Sequence, residues 1–470
     1  MMDLHFSPAH VLAEAIRNRE VSPVELMEAT LRRIEQLNPT LNAFVVLRAE
    51  EARAEARHLG ERLARGETPG PLAGLPLAVK DEEAVAGLPT TIGSIPFKDD
   101  VATEDSPQVA RLKAAGAIVV GKTNLPELGH TAYTSNRLFG TTRNPWNPER
   151  TPGGSSGGSA AAIASGMVPL ATAADGGGSI RIPACYTGCF GLKASYGRVA
   201  KGWGKMAEFS DTIVWGPITR TVRDAALYMD AVVGPHPADP DSLPHPGISY
   251  VENLDRVPQH LRAAFSPTLG LTILEKGVRR EVDAAVAAFP EFGCTVEEFT
   301  ETFPDVAIAW LTIFGAELYA KVAPIYEARR ADWDESFIRL VELVRGATPD
   351  RIGDALRIRA QLNRFVGRIF ERYDLLITPT LPTVAFRAEG PLPLEVDGQE
   401  ANPVCFTYPF NFTGHPAISL RAGITDAGLP CGLQVVAPRH REDLLFQVAR
   451  AYEQVRPWDD RWPQEIGVAG

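Results

Sequence analysis

The chain has 470 residues, 45% of them hydrophobic and 22% charged, and a formal net charge of −11. Such a composition belongs to an ordinary globular protein with enough apolar residue to bury a sizeable core. The acidic balance and the lack of any basic run weigh against a nucleic-acid surface, and the charge is too modest for a disordered chain.

The opening residues, MMDLHFSPAH, carry no basic stretch ahead of an apolar core, so no secretory signal is expected. Ser22-Pro23-Val24-Glu25 is a capping box with proline at the first helical position, and it predicts a helix through LMEATLRRIEQL. Short apolar runs at 74–80, 117–121, 168–174, 374–378 and 432–436, each bounded by glycine, proline or charge, read as buried strands. Between them lie amphipathic helices such as EDLLFQVARAYEQV, where Leu445, Val448, Ala449 and Tyr452 share a face. The pattern is α/β: a central mixed, twisted sheet covered by helices on both sides.

The expected organisation is one domain over 1–470. N-terminal helices occupy 1–65, a core 66–235, and a surface connection rich in Pro, Asp and His 236–260. A helical insertion at 305–372 caps the site, and 373–470 returns to the sheet. Trp310, Phe314, Tyr319 and Tyr326 in the insertion are either core or the wall of an apolar pocket. The uncharged stretch 159–174 is broken by Gly166 and Pro169 and is too short to span a bilayer. Five scattered cysteines suit reduced thiols in a cytoplasm, and Cys185 and Cys189 lack the further ligands that a zinc site requires.

Two glycine-rich stretches carry the chemistry. Gly153-Gly154-Ser155-Ser156-Gly157 fits the G-x-S-x-G elbow of α/β-hydrolases, but the polar, proline-rich RNPWNPERTP before it is no buried strand, so the elbow context fails. In DGGGSIRIPA, from Asp175 onward, an apolar run delivers three glycines and Ser179 to the edge of a sheet. Successive backbone N–H groups there converge as a nest for an oxyanion. Alone, this reads better as a glycine-rich turn with no chemistry. Lys80 ends a predicted strand; buried there it can stay neutral and act as a base, and otherwise it is a solvated or salt-bridged strand end. Asp81, next along the strand, points to the opposite face.

Taken together, GLPLAVKDEEAVAGLPTT, GKTNLPELG, NPWNPERTPGGSSGGSAAA, DGGGSIRIPACYTGCFGLKASYGRV, GPITRTVRDAA, NFTGHPAISL and GLPCGLQVV resemble the successive blocks of the amidase signature family, in order and over nearly the whole chain. The resemblance implies a Ser, cis-Ser, Lys triad: Ser179 as nucleophile, Ser155 as proton relay and Lys80 as base. It implies a cis peptide between Gly154 and Ser155, and an oxyanion hole from the amides of Gly176, Gly177, Gly178 and Ser179. Asp175 and Arg181 are expected to brace the loop. Gly176 and Ala194 depart from the residues common at those positions, and neither change removes a catalytic group.

The stretch 201–215, longer and more aromatic than a minimal link, offers Trp203, Met206 and Phe209 as a lid over the pocket, or as a surface loop with packed aromatics. The resemblance implies no metal and no cofactor. The expected partner is a small-molecule amide or carbamate (urethane), with no nucleic acid or membrane, and a monomer or homodimer. The first expectation is a stand-alone amidase similar to aryl acylamidases, nylon-oligomer hydrolases and urethanases. The alternative is the glutaminase subunit of a tRNA-dependent amidotransferase.

Overall fold

Ser22 accepts a hydrogen bond from the Glu25 amide while the Glu25 carboxylate accepts from the Ser22 amide, and the helix Pro23–Leu41 starts from that reciprocal cap. The structure, a computed structural model, describes residues 2–201, 210–458, 461–463 and 466. Trp203, Met206 and Phe209, the lid candidates, lie outside the described residues.

Among those residues, eleven strands form one mixed sheet. In chain order they are β1 (Phe44–Leu47), β2 (Pro76–Lys80), β3 (Ile118–Thr123), β4 (Leu170–Asp175), β5 (Phe190–Lys193), β6 (Val214–Thr219), β7 (Leu261–Phe265), β8 (Cys294–Glu298), β9 (Leu375–Pro379), β10 (Ala417–Ile424) and β11 (Pro430–Val436). Side by side they run β1-β3-β2-β4-β6-β5-β10-β11-β9-β7-β8. β2 is parallel to both β3 and β4, whereas β6, β5, β10 and β11 continue antiparallel.

Every residue of β2, β3 and β4 is buried. That burial explains their continuous apolar runs, because a strand covered on both faces has no polar side to alternate with. Helices pack around the sheet, and Glu442–Val455 buries Leu444, Leu445, Val448, Ala449 and Tyr452 against it. Three helices, Ala307–Val322, Glu335–Val344 and Pro349–Phe370, occupy the 305–372 segment.

β2 and β4 pair in parallel with Leu77 opposite Leu170, so their carboxyl ends, Lys80 and Asp175, emerge at the same edge of the sheet. Crevices outside the carboxyl ends of parallel strands are the usual binding places of open α/β sheets.

Candidate active site

Lys80 is the last residue of β2. Its backbone amide donates to Thr172 Oγ1 on β4 (3.0 Å), and its side chain is 1% exposed. The ammonium end reaches Ser155, with Nζ 2.8 Å from Oγ. Ser155 follows a cis peptide bond from Gly154 and sits two residues ahead of the buried helix Gly157–Ala164. No strand leads directly into it, since residues 142–156 form loop, turn and isolated bridges. Asp81 turns to other partners, Lys122 Nζ at 3.3 Å and the Thr91 hydroxyl.

Ser179 lies in the turn between β4 and the short helix Arg181–Thr187 and is partly open to solvent. Ser156 holds this turn against the Ser155 loop: its amide donates to the Ser179 carbonyl (3.2 Å) and its hydroxyl to the Ala174 carbonyl (3.2 Å). The sequence placed Ser155 and Ser179 in separate motifs, and nothing in either motif marks Ser156 as the clip between them.

A buried polar frame fixes the glycine turn. Asp175 accepts from the Gly178 amide (2.7 Å) and pairs with Arg181 through both carboxylate oxygens (2.9 and 3.0 Å). Arg181 also donates to the Thr407 carbonyl, Gln434 Oε1 and Asn411 Oδ1, and Asn411 in turn donates to the carbonyl and Oδ1 of Asp175. Burial pushes the Asp175 carboxyl up, but the guanidinium, Lys193 and the Asn411 amide outweigh it and hold the group at about 2.

The Gly178 amide, which the sequence counts among the oxyanion donors, is thus turned back onto Asp175. The amides of Gly176, Gly177 and Ser179 donate to no described residue. From the other side, Thr407 Oγ1 donates to the Gly177 carbonyl (2.6 Å) and Trp310 Nε1 to the Gly176 carbonyl (3.0 Å).

Ser179 and Gly177 line a cavity of about 230 Å³ whose other walls include Ile182, Trp310, Phe314, Tyr133 and Leu392. Trp310 stacks on Phe314 and Tyr408, with centroids 5.0 and 5.2 Å apart. Of the four aromatic residues singled out in 305–372, Trp310 and Phe314 face this cavity, while Tyr326 packs in the core against Trp333. His130 also lines it, its ring between the Glu127 carbonyl (2.6 Å) and Ser336 Oγ (2.9 Å); desolvation lowers it to about 4, so it is neutral at pH 7. A wider polar cleft of about 700 Å³, lined by Arg137, Arg330, Arg339, Asp334 and Glu335, shares Tyr133 with it but contains neither Ser155 nor Ser179.

Among the described residues, no group of three or more His, Cys, Asp or Glu side chains is placed to hold a metal ion, and no helix is long and apolar enough to cross a membrane. All five cysteines are buried free thiols.

The family model described as Amidase matches residues 25–446. An acylamidase of Rhodococcus erythropolis is 36% identical over 472 residues, 98% of each chain. A glutamyl-tRNA(Gln) amidotransferase subunit from Geobacillus kaustophilus (strain HTA426) is also 36% identical, over 98% of this chain and 99% of that one. Among solved structures, a bacterial aryl acylamidase of the amidase signature (AS) enzymes aligns with a TM-score of 0.90 at 32% identity, over 97% of this chain and 98% of that one. Near-complete coverage by the family model, the relatives and the fold identifies the chain as a member of the amidase signature family.

Proposed function

We propose that this amidase acts on its own on aryl or alkyl amides, cleaving the C–N bond through an acyl-enzyme on Ser179, with Ser155 as proton relay and Lys80 as base. The observation that carries this is the 2.8 Å contact between Lys80 Nζ and Ser155 Oγ, buried beside the turn that presents Ser179 to an apolar cavity.

With Lys80 unprotonated, Nζ takes the Ser155 proton as Ser155 takes that of Ser179, and Ser179 Oγ bonds to the substrate carbonyl carbon. Negative charge gathers on the former carbonyl oxygen, where the amides of Gly176, Gly177 and Ser179 donate to it. The proton returns through Ser155 to the departing amine as the C–N bond breaks. Water then enters by the same relay and releases the acid. The Asp175–Arg181 frame keeps the amides aimed and touches no substrate in this scheme.

The walls around Ser179 support an apolar or aromatic substrate, since Trp310, Phe314, Ile182 and Leu392 offer flat and aliphatic surface. An aryl carbamate fits the same scheme. It adds one oxygen on the acyl side and yields an amine, an alcohol and carbon dioxide.

The 36% identity to an amidotransferase component favours a second reading, a glutaminase subunit that works with partner chains. The cavity weighs against it. Free glutamine carries an ammonium and a carboxylate, and burying them unpaired is costly, yet the described side chains lining this cavity are uncharged with His130 neutral.

The test is hydrolysis of glutamine, a nitroacetanilide and an aryl carbamate by the isolated chain and by Ser179→Ala. Turnover of the anilide or carbamate that the variant lacks supports the stand-alone amidase. Reaction of glutamine alone, or activity only after partner chains are added, moves the assignment to the amidotransferase glutaminase.

A further inference from the structure

Lys80 has a second polar neighbour that the triad leaves unexplained. Glu82 Oε1 lies 3.0 Å from Lys80 Nζ, with the Glu82 side chain 8% exposed. That buried oxygen makes no hydrogen bond among the described residues, so the ion pair is its contact. The other oxygen faces Gly129, where a built Cβ would stand 3.6 Å from Glu82 Oε2 and 3.2 Å from Ser155 Oγ. Gly129, at φ +67°, therefore lets the backbone close over Ser155 and Glu82 together. Lys80, Ser155 and Glu82 form one buried cluster at the carboxyl end of β2.

We propose that Glu82 is a positioning residue that acts through Lys80, its carboxylate stabilising the ammonium that forms on Nζ when the proton arrives from Ser155. The inference rests on the assignment of Lys80 as the base. Glu82 then stands to Lys80 as the aspartate of a Ser-His-Asp triad stands to its histidine: it orients the base and meets the charge that forms on it, without itself taking the proton. The balance is simple. One proton leaves Ser179 for Ser155 and one leaves Ser155 for Nζ, while the Ser179 Oγ–carbon bond forms as the carbonyl π bond opens and its electron pair moves to oxygen, and the cationic Nζ faces an anionic carboxylate at 3.0 Å.

The surrounding charges leave this role to Glu82. Lys122, on β3, is paired with Asp81 and donates to the Glu83 carbonyl at 2.7 Å. Glu83 accepts from Ser106 and Gln108, and burial raises it to about 7. On the 127–130 turn above, Glu127 is held by Ser94 and the Asp334 amide, and His130 by Ser336.

A carboxylate beside a lysine makes it the stronger base and also delays its loss of a proton to higher pH. Removing the charge in Glu82→Gln therefore moves two quantities in opposite senses. The acidic limb of the kcat/KM profile on an anilide should fall by about 1 pH unit or more. The plateau rate should drop about tenfold, since a weaker base drives proton transfer less well. Glu82→Asp, which keeps the charge on a shorter arm, should shift the limb less and recover part of the rate. An unmoved limb in Glu82→Gln overturns the role of Glu82, even with a slower enzyme, because lost packing alone changes rate without changing the limb. Ser179→Ala separates the two claims: activity surviving there removes the proposed mechanism, whereas its loss beside an unmoved Glu82→Gln limb removes only the inference about Glu82.

Discussion

Trp310 donates its indole N–H to the carbonyl of Gly176 across 3.0 Å, tying helix Ala307–Val322 to the glycine turn that precedes Ser179. The same ring walls the cavity, so one side chain both shapes the pocket and holds the glycine turn. Trp310→Phe keeps an aromatic face beside Phe314 and Tyr408 but loses the hydrogen bond, worth about 1 kcal/mol. Its kcat should fall several-fold with little change in KM. Trp310→Ala also removes the wall and should raise KM for an aryl amide about tenfold or more. Steady-state kinetics of both variants on an anilide check the split, and equal effects on KM would contradict it.

Gly177 packs so closely under this indole that a built Cβ would lie 2.3 Å from Trp310 Cζ2. Gly177→Ala must push the ring aside and carry the turn with it. Displacing one proposed oxyanion donor costs about 2.7 to 4 kcal/mol, so kcat should fall by about 10² to 10³, and the overpacking should lower the thermal midpoint as well. A fully active Gly177→Ala enzyme would remove the amides of this turn from the mechanism.

Arg181→Ala leaves the Asp175 carboxylate buried without its cation. Breaking a buried pair from one side costs about 3 to 5 kcal/mol, and urea unfolding at pH 7 should show it. Because Asp175 is held at about 2 against an ordinary 3.8, its contribution is complete above pH 3.8 and is lost as pH falls toward 2. The deficit of the variant should therefore narrow in acid.

His130 gives a stability slope of its own. Its folded value of about 4 lies below the ordinary 6.5, so the unfolded chain binds more protons between those values and stability rises with pH across the window. Glu127, raised by burial to about 7 from 4.5, slopes the other way. His130→Gln should lose less stability than wild type when pH is lowered from 6.5 to 4. Parallel losses in thermal unfolding would show that the ring does not titrate as its environment dictates.

The sheet was legible where strands are buried on both faces, as in β2, β3 and β4. It was not legible in β6, where Gly216 and Pro217 argue against a central strand, nor in β8, whose CTVEE lies at the sheet's edge and needs no apolar run. Lys80, Ser155 and Ser179 stood out through their motifs. Their supports did not, because those supports arrive from distant chain: Trp310 lies 134 residues from Gly176, and Asn411 lies 236 from Asp175. Asn411 sits within NFTGHPAISL, a block visible in the sequence whose contact with the loop only the fold reveals. Gly178 shows the converse, since its place in the glycine run suggested a free amide that Asp175 in fact occupies.

Ser155→Ala should leave the fold intact and lower kcat by about 10² to 10⁴, the usual worth of a positioned proton-transfer group. Unchanged turnover would disconnect Lys80 from the nucleophile.

The most direct measurement is mass spectrometry of the enzyme quenched during turnover of a slow aryl amide, with the adduct mapped by peptide. An acyl group on Ser179, absent from Ser179→Ala, is the predicted result. An adduct on Ser155 or Ser156, or turnover that persists in Ser179→Ala, would contradict Ser179 as the nucleophile.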